Sequence, residues 1–175
     1  MIQRIKWVER KFEFNFPLSI FPCILERLRG TPGRVEELVR SFPSTILTKQ
    51  ANNGWSIQEH VGHLYDLDEL HDSRIDDYLA GAQILRPADI TNKKTWEASH
   101  NTKSIQGIVK GFRSVRMHFV QRLDALDEET LARTAIHPRL QKPMRLVDMA
   151  FFVAEHDDHH LARMTQLANI LQGDP

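Results

Sequence analysis

Between Ile105 and Leu126 the chain carries an unbroken helical stripe. Ile105, Ile108, Val109, Phe112, Val115, Phe119, Val120, Leu123 and Leu126 recur at helical spacing. At 3.6 residues per turn these side chains share one face, which must be buried against other helices. The rest of the chain supplies them. Thr31-Pro32 has the form of an N-cap followed by a first-turn proline, ahead of Val35, Leu38, Val39 and Phe42; Pro43 stops that pattern. Ser56-Ile57-Gln58-Glu59 has the form of a capping box and opens a helix to about Ala80, before Gly81. Ile57, Val61, Leu64, Ile75 and Leu79 fall on one face of it. A last apolar pattern runs from about Leu146 to Leu171 and ends at Gly173.

The expectation is therefore an all-α domain, a four-helix bundle over residues 31–175. Its long crossover connection is the polar stretch Leu85–Asn101, with Pro87 and Trp96 inside it. Residues 1–30 differ: Phe12, Phe14, Phe16 and Phe21 are interrupted by Pro17 and Pro22. Phe12–Phe16 alternates with period two, but no second strand follows nearby, so an irregular N-terminal arm laid on the core is expected. A short helix from Pro22 to Arg29 is expected to end at Gly30. Asn52-Asn53-Gly54 reads as a turn, Asp127-Glu128-Glu129 as the cap of a short extra turn, and Ile136–Pro143 as a loop.

Composition excludes several function classes. The 175 residues are 41% hydrophobic and 26% charged with formal net charge zero, which suits one domain and gives no basic surplus for nucleic acid or an anionic membrane. Apolar runs such as Met149–Ala154 are too short to span a bilayer. Met1-Ile2-Gln3-Arg4-Ile5-Lys6 lacks the apolar stretch of a signal peptide, so a cytoplasmic protein is expected. Cys23 is the only cysteine, which excludes an internal disulfide and a CxxC zinc site.

The chemistry concentrates in Glu155-His156-Asp157-Asp158-His159-His160. On a helix, His156 and His160 lie one turn apart beside the apolar sector of Met149, Val153, Met164, Leu167 and Leu171. Two inward imidazoles need partners, and the His-x-x-x-His spacing lets one helix offer two nitrogens to one metal ion. A third ligand has to come from another helix, and His60, His63 and His71 are the candidates. His60 and His71 suit the helical wheel better; His63 lies at its edge. Glu59, one turn before His63, is a candidate general base as well as the capping-box glutamate.

Trp55-Ser56-Ile57-Gln58-Glu59-His60-Val61-Gly62-His63-Leu64 resembles the W-S-x-x-E-x-x-x-H-L signature of the DinB/YfiT-like superfamily. Glu155–Arg163 resembles its C-terminal H-x-x-x-H signature, and the resemblance spans roughly residues 31–172. It implies an up-down-down-up four-helix bundle and a metal triad of His63, His156 and His160, which selects His63 over His60. It also implies zinc or nickel, a homodimer, and a small-molecule substrate. The implied chemistry is that of a low-molecular-weight-thiol S-transferase or a hydrolase. The alternative is a non-catalytic metal-binding module in stress response or interaction.

Other residues carry weaker expectations. His159 and Asp157 are either partners that orient the ligands or a solvated rim. Asp66 and Asp68 are expected to be solvated or salt-bridged, and Arg113 and Arg116 to form the wet face of their helix. His137-Pro138 and Arg139 read as an ordinary turn rather than a substrate contact. Trp96 and His100 lie in the connection that could lid the site.

Overall fold

The computed structural model describes residues 4–51 and 54–173. Asn52 and Asn53, at the centre of the expected turn, lie outside the described residues. In chain order the helices are α1 (Phe21–Ser41), α2 (Ser44–Leu47), α3 (Ile57–Leu79), α4 (Lys93–Glu97), α5 (Ile105–Asp124), α6 (Glu128–Ala132) and α7 (Leu146–Gln172). Two short strands, β1 (Thr134–His137) and β2 (Lys142–Arg145), precede α7.

The caps form as their sequences dictate. Ser56 accepts the Glu59 N–H at 3.1 Å while the Glu59 carboxylate accepts the Ser56 N–H at 2.8 Å, completing the capping box. Ser104 caps α5, Asp127 caps the short α6, and Gly173 closes α7 in the left-handed conformation. Helix α1 packs on α5 and α7, and α3 packs on the same two, which leaves α1 and α3 diagonal. This is the up-down-down-up bundle, and the long α3–α5 connection is what such an arrangement requires.

Two expectations are corrected. No break occurs at Gly30: α1 runs straight through Gly30, Thr31 and Pro32. The reason is burial. Ile24, Leu25, Leu28, Thr31, Pro32, Val35 and Val39 form one continuous buried stripe across the expected junction. That packing outweighs the roughly 3 kcal/mol that an interior proline costs. Thr31 is no N-cap; its hydroxyl lies 3.0 Å from the Arg27 carbonyl and 2.8 Å from Asp157 Oδ2.

The segment expected as a loop is an antiparallel hairpin, with Ala135 opposite Met144 and Ile136 opposite Pro143. Proline is tolerated because that pair exchanges no hydrogen bond. Ile136 bonds instead to the crossover, donating to Gln83 O at 2.9 Å and accepting the Leu85 N–H at 3.0 Å. Tyr78 on α3 donates to Met144 O at 3.0 Å and ties the hairpin to the bundle.

The arm is extended up to α1, as expected, apart from single turns at Trp7–Glu9 and Leu18–Ile20. Phe12 is buried in the core, and Trp7 packs against it and Phe152 at 5.2 and 4.9 Å between ring centres. Arg10 pairs with Glu155, and Arg27 reaches both Glu155 (2.7 Å) and Asp158. The outward carboxylates of the 155–160 cluster thus hold the arm and α1 on α7.

The apolar core is in two parts. Between them each long helix contributes one polar residue: Thr31, Asp68, Arg116 and Asp157, all at most 1% exposed. Arg116 donates to Asp68 Oδ1 and Oδ2 at 2.7 and 2.8 Å and to Asp157 Oδ1 at 3.0 Å. Arg116 is therefore not on a wet face, and two buried carboxylates hold it charged, with its pKa raised despite desolvation. Burial pushes Asp68 up to about 6, against the pull of Arg116.

Candidate metal centre

Helix α7 places His156 and His160 one turn apart at the level of the polar layer, and α3 places His63 opposite them. A ligand atom from each of the three lies within 4.8 Å of the others. All three residues are buried, at 5–6% exposure. His156 Nε2 and His160 Nε2 are 3.1 Å apart. Among the described residues the structure brings together these three and leaves His60 and His71 out of the group.

His60 and His71 are nonetheless at the site. His60 Nδ1 lies 2.9 Å from His160 Nδ1, so it backs a ligand candidate instead of being one. His71 packs 6.3 Å from His156 between ring centres.

Hydrogen bonds set which nitrogen faces the centre. His63 Nδ1–H donates to Thr95 Oγ1 at 3.2 Å, and Thr95 donates to Asp66 Oδ2 at 3.0 Å. His100 Nε2–H reaches the same Asp66 oxygen at 2.8 Å. The chain Asp66–Thr95–His63 keeps the imidazole proton on Nδ1 and leaves the Nε2 lone pair free. The bond to His60 engages His160 Nδ1 in the same way. The His156 Nδ1 is buried without a partner among the described residues.

Burial keeps the cluster neutral. Desolvation holds His63 down to about 4 and His60 down to about 3, and it lowers His156 and His160 well below the ordinary histidine value. Neutral imidazoles are the form that binds a metal. Three converging nitrogen donors with no carboxylate among them fit a borderline-soft divalent cation and leave coordination positions free.

Two tryptophans flank the triad. Trp55, at the foot of α3, lies 4.6 Å from His63 between ring centres, and Trp7 of the arm lies 5.0 Å from His156. From the triad a cavity of about 520 Å³ extends along α3 past Leu67, Leu70 and His71, with Phe152 and the hairpin turn on its other side. The crossover closes on the start of α3. Gln58 Nε2 donates to His100 O at 2.6 Å and Lys103 O at 2.8 Å. His100 is 1% exposed, with its ring against Gly62.

Several expected roles change in this geometry. Asp157 belongs to the Arg116 layer, its carboxylate bonded to Thr31 and Arg116 and not to a ligand candidate. His159 is half-buried against Trp7, with Arg4 Nη1 at 2.6 Å from its Nε2, and it docks the arm. Glu59 gives its oxygens to the Ser56 N–H and to Gln50 Nε2, and it does not line the cavity. His137, Pro138 and Arg139 do line it, so the turn is not an ordinary one. Arg74 and Thr95 had no signal in the sequence beyond helical spacing and a polar connection. Cys23 is exposed and absent from the cavity lining.

No helix among the described residues is long and apolar enough to cross a membrane. No curated protein sequence matches this chain significantly. Its fold is shared with YfiT from Bacillus subtilis, described as a probable metal-dependent hydrolase with an unusual four-helix bundle topology. The two structures superpose with a TM-score of 0.78 over 94% of each chain, at 20% sequence identity. The family model matches residues 27–164, beginning inside α1 and ending in α7 after His160, and the chain belongs to the DinB superfamily.

Proposed function

We propose that this protein is a metal-dependent enzyme acting on a small molecule, with His63, His156 and His160 holding a divalent cation, zinc or nickel. The reaction class is hydrolysis or S-transfer from a low-molecular-weight thiol. The observation that carries the reading is the convergence of three buried, neutral imidazoles at the head of a ligand-sized cavity. The description of YfiT as metal-dependent supports it.

A cation held there would polarise a carbonyl or phosphoryl oxygen and favour the ionised form of a bound water or thiol. The protein's own groups do the remaining work. Thr95 and Asp66 orient His63, and His60 orients His160. Trp7 and Trp55 exclude bulk water from two sides. Glu59 acts through the capping box, holding the first turn of α3 and with it His63. A homodimer, supported by the family resemblance, and a cytoplasmic location, supported by the N-terminal sequence pattern, are part of the same proposal.

The test is metal content of gently purified protein, followed by turnover. One divalent ion per chain is expected, lost in His156→Ala. The metal-loaded protein is then offered ester and amide substrates. Monochlorobimane is offered with bacillithiol, mycothiol or glutathione. Turnover that stops on chelation supports the enzyme. A triple alanine variant that loses thermal stability, from a parent that turns over nothing, would leave a non-catalytic metal-binding module.

A further inference from the structure

The cavity has a second polar end, and it is cationic. The α3 wall is a helical stripe of His63, Leu67, Leu70, His71 and Arg74, and the hairpin turn brings His137 and Arg139 to the same cavity. Arg74 is 2% exposed. Its Nε and Nη2 donate to Arg86 O at 3.2 and 3.0 Å, while Nη1 faces His137 Nε2 at 3.5 Å.

That last contact sets donor against donor. His137 Nδ1 accepts the Leu140 N–H at 3.2 Å, so the neutral ring carries its proton on Nε2. Arg139 lies over Trp7 and Phe152 at 5.7 and 5.6 Å, and its Nη2 is buried with no hydrogen-bond partner among the described residues. The acidic residue in the lining is Asp89, and it serves its own turn. Its oxygens accept from Thr91 N (2.9 Å), Thr91 Oγ1 (2.6 Å) and Lys93 N (2.9 Å). Desolvation lowers Arg74 to about 10 and lowers Arg139 as well, yet both stay cationic at neutral pH. Arg74 Nη1, the His137 Nε2–H and Arg139 Nη2 are thus three donors turned to one cavity with no acceptor among the described residues, and such donors call for an anion.

We propose that Arg74, His137 and Arg139 form an anion subsite for a carboxylate, phosphate or sulfonate group of the substrate. The proposal rests on the triad being the reacting end of the same cavity. Between the two ends run Leu67, Leu70, Trp7 and Phe152, which fit an apolar spacer. His63 and Arg74 are eleven residues apart, about 16 Å along the helix axis, and the ligand spans less because both side chains reach into the cavity. The substrate class is therefore a small amphiphilic anion with its reactive group distant from its charge.

Calorimetric titration of the full chain stripped of metal with EDTA tests this, because no cation can then bind the probe. The probes are hexanoate, hexyl phosphate and the uncharged hexanamide. At least one anion is expected to bind about tenfold or more tightly than the amide. That preference should vanish in Arg139→Gln, persist in part in Arg139→Lys, and survive in His63→Ala. The two anions separate a carboxylate from a phosphate preference. Wild-type protein that binds neither anion, or binds both no better than hexanamide, overturns the proposal without any variant. A preference intact in Arg139→Gln overturns it too. Metal binding is measured separately, so a missing metal with an intact anion preference would refute the metal reading alone.

Discussion

Gly62→Ala isolates one contact on which the centre depends. A Cβ built on Gly62 would lie 2.6 Å from His100 Nδ1 and closer still to Cγ and Cδ2. Carbon atoms in contact sit about 3.5–4.0 Å apart, so the ring would have to move by roughly 1 Å or more. It has nowhere easy to go: His100 is 1% exposed and is held through Asp66 and Gln58. Overpacking costs about 1–3 kcal/mol, and a clash with three atoms of a held ring belongs at about 2–3 kcal/mol, while alanine recovers about 1 kcal/mol of helix propensity. The expected net is a loss of about 1–2 kcal/mol in urea unfolding. Moving His100 also disturbs the Asp66–Thr95–His63 chain, so metal affinity in a chelator competition should fall by about tenfold or more. The sign should reverse without the ring: in a His100→Ala background, Gly62→Ala should stabilise by about 0.5–1 kcal/mol. Gly62→Ala as stable as wild type with His100 present, or equally costly with and without it, would refute the reasoning.

Three further outcomes follow from the same geometry. Arg116→Met leaves Asp68 and Asp157 buried without their cation and should cost about 3–5 kcal/mol at pH 7 in chemical denaturation; a cost under about 1 kcal/mol would show that the layer does not act as an ionic unit. Thr95→Val removes the acceptor for His63 Nδ1 and should weaken metal binding about tenfold while keeping one site per chain, as read by competition with a chelator. Metal-free protein should lose stability as pH falls. His60 is lowered to about 3 and His63 to about 4, so below about 6.5 the unfolded chain takes up protons that the folded one refuses. Stability is then full above about pH 6.5 and declines towards pH 4, by up to about 2 kcal/mol per histidine between pH 7 and 5. Denaturation curves that are flat or rise over that interval would contradict the burial of neutral histidines.

Much of the frame was legible because it rests on local rules. The Ser56–Glu59 box, the α5 stripe and the His156/His160 spacing depend on residues within a turn or two of one another. The site was legible only in part. The helical wheel placed His60 and His71 inward and His63 at the edge, because it ranks residues by the apolar face of their own helix. The centre instead lies where α3 faces α7, and there His60 stands behind His160 while His63 points to the gap. The Gly30–Pro32 break was a sound local expectation that a continuous buried stripe overrode. The hairpin was missed because its strands are four residues each and lean on a crossover segment some fifty residues earlier.

Charge shows the division most clearly. The sequence by itself determined four amphipathic helices, a two-nitrogen offer on the last of them, and the absence of any surplus charge for nucleic acid. These follow from periodicity, capping chemistry and composition, which need no knowledge of neighbours. Which charges are buried was decided only by the tertiary structure. Arg116 and Arg113 are alike in sequence, yet one is enclosed by Asp68 and Asp157 and the other pairs with Glu36 at the surface. Arg74 and Arg139 are ordinary cations until the hairpin folds back on α3 and leaves them facing a cavity whose acid, Asp89, is taken up by its own turn. The cost of burying a charge depends on what lies within a few ångströms of it, and only the folded chain sets that.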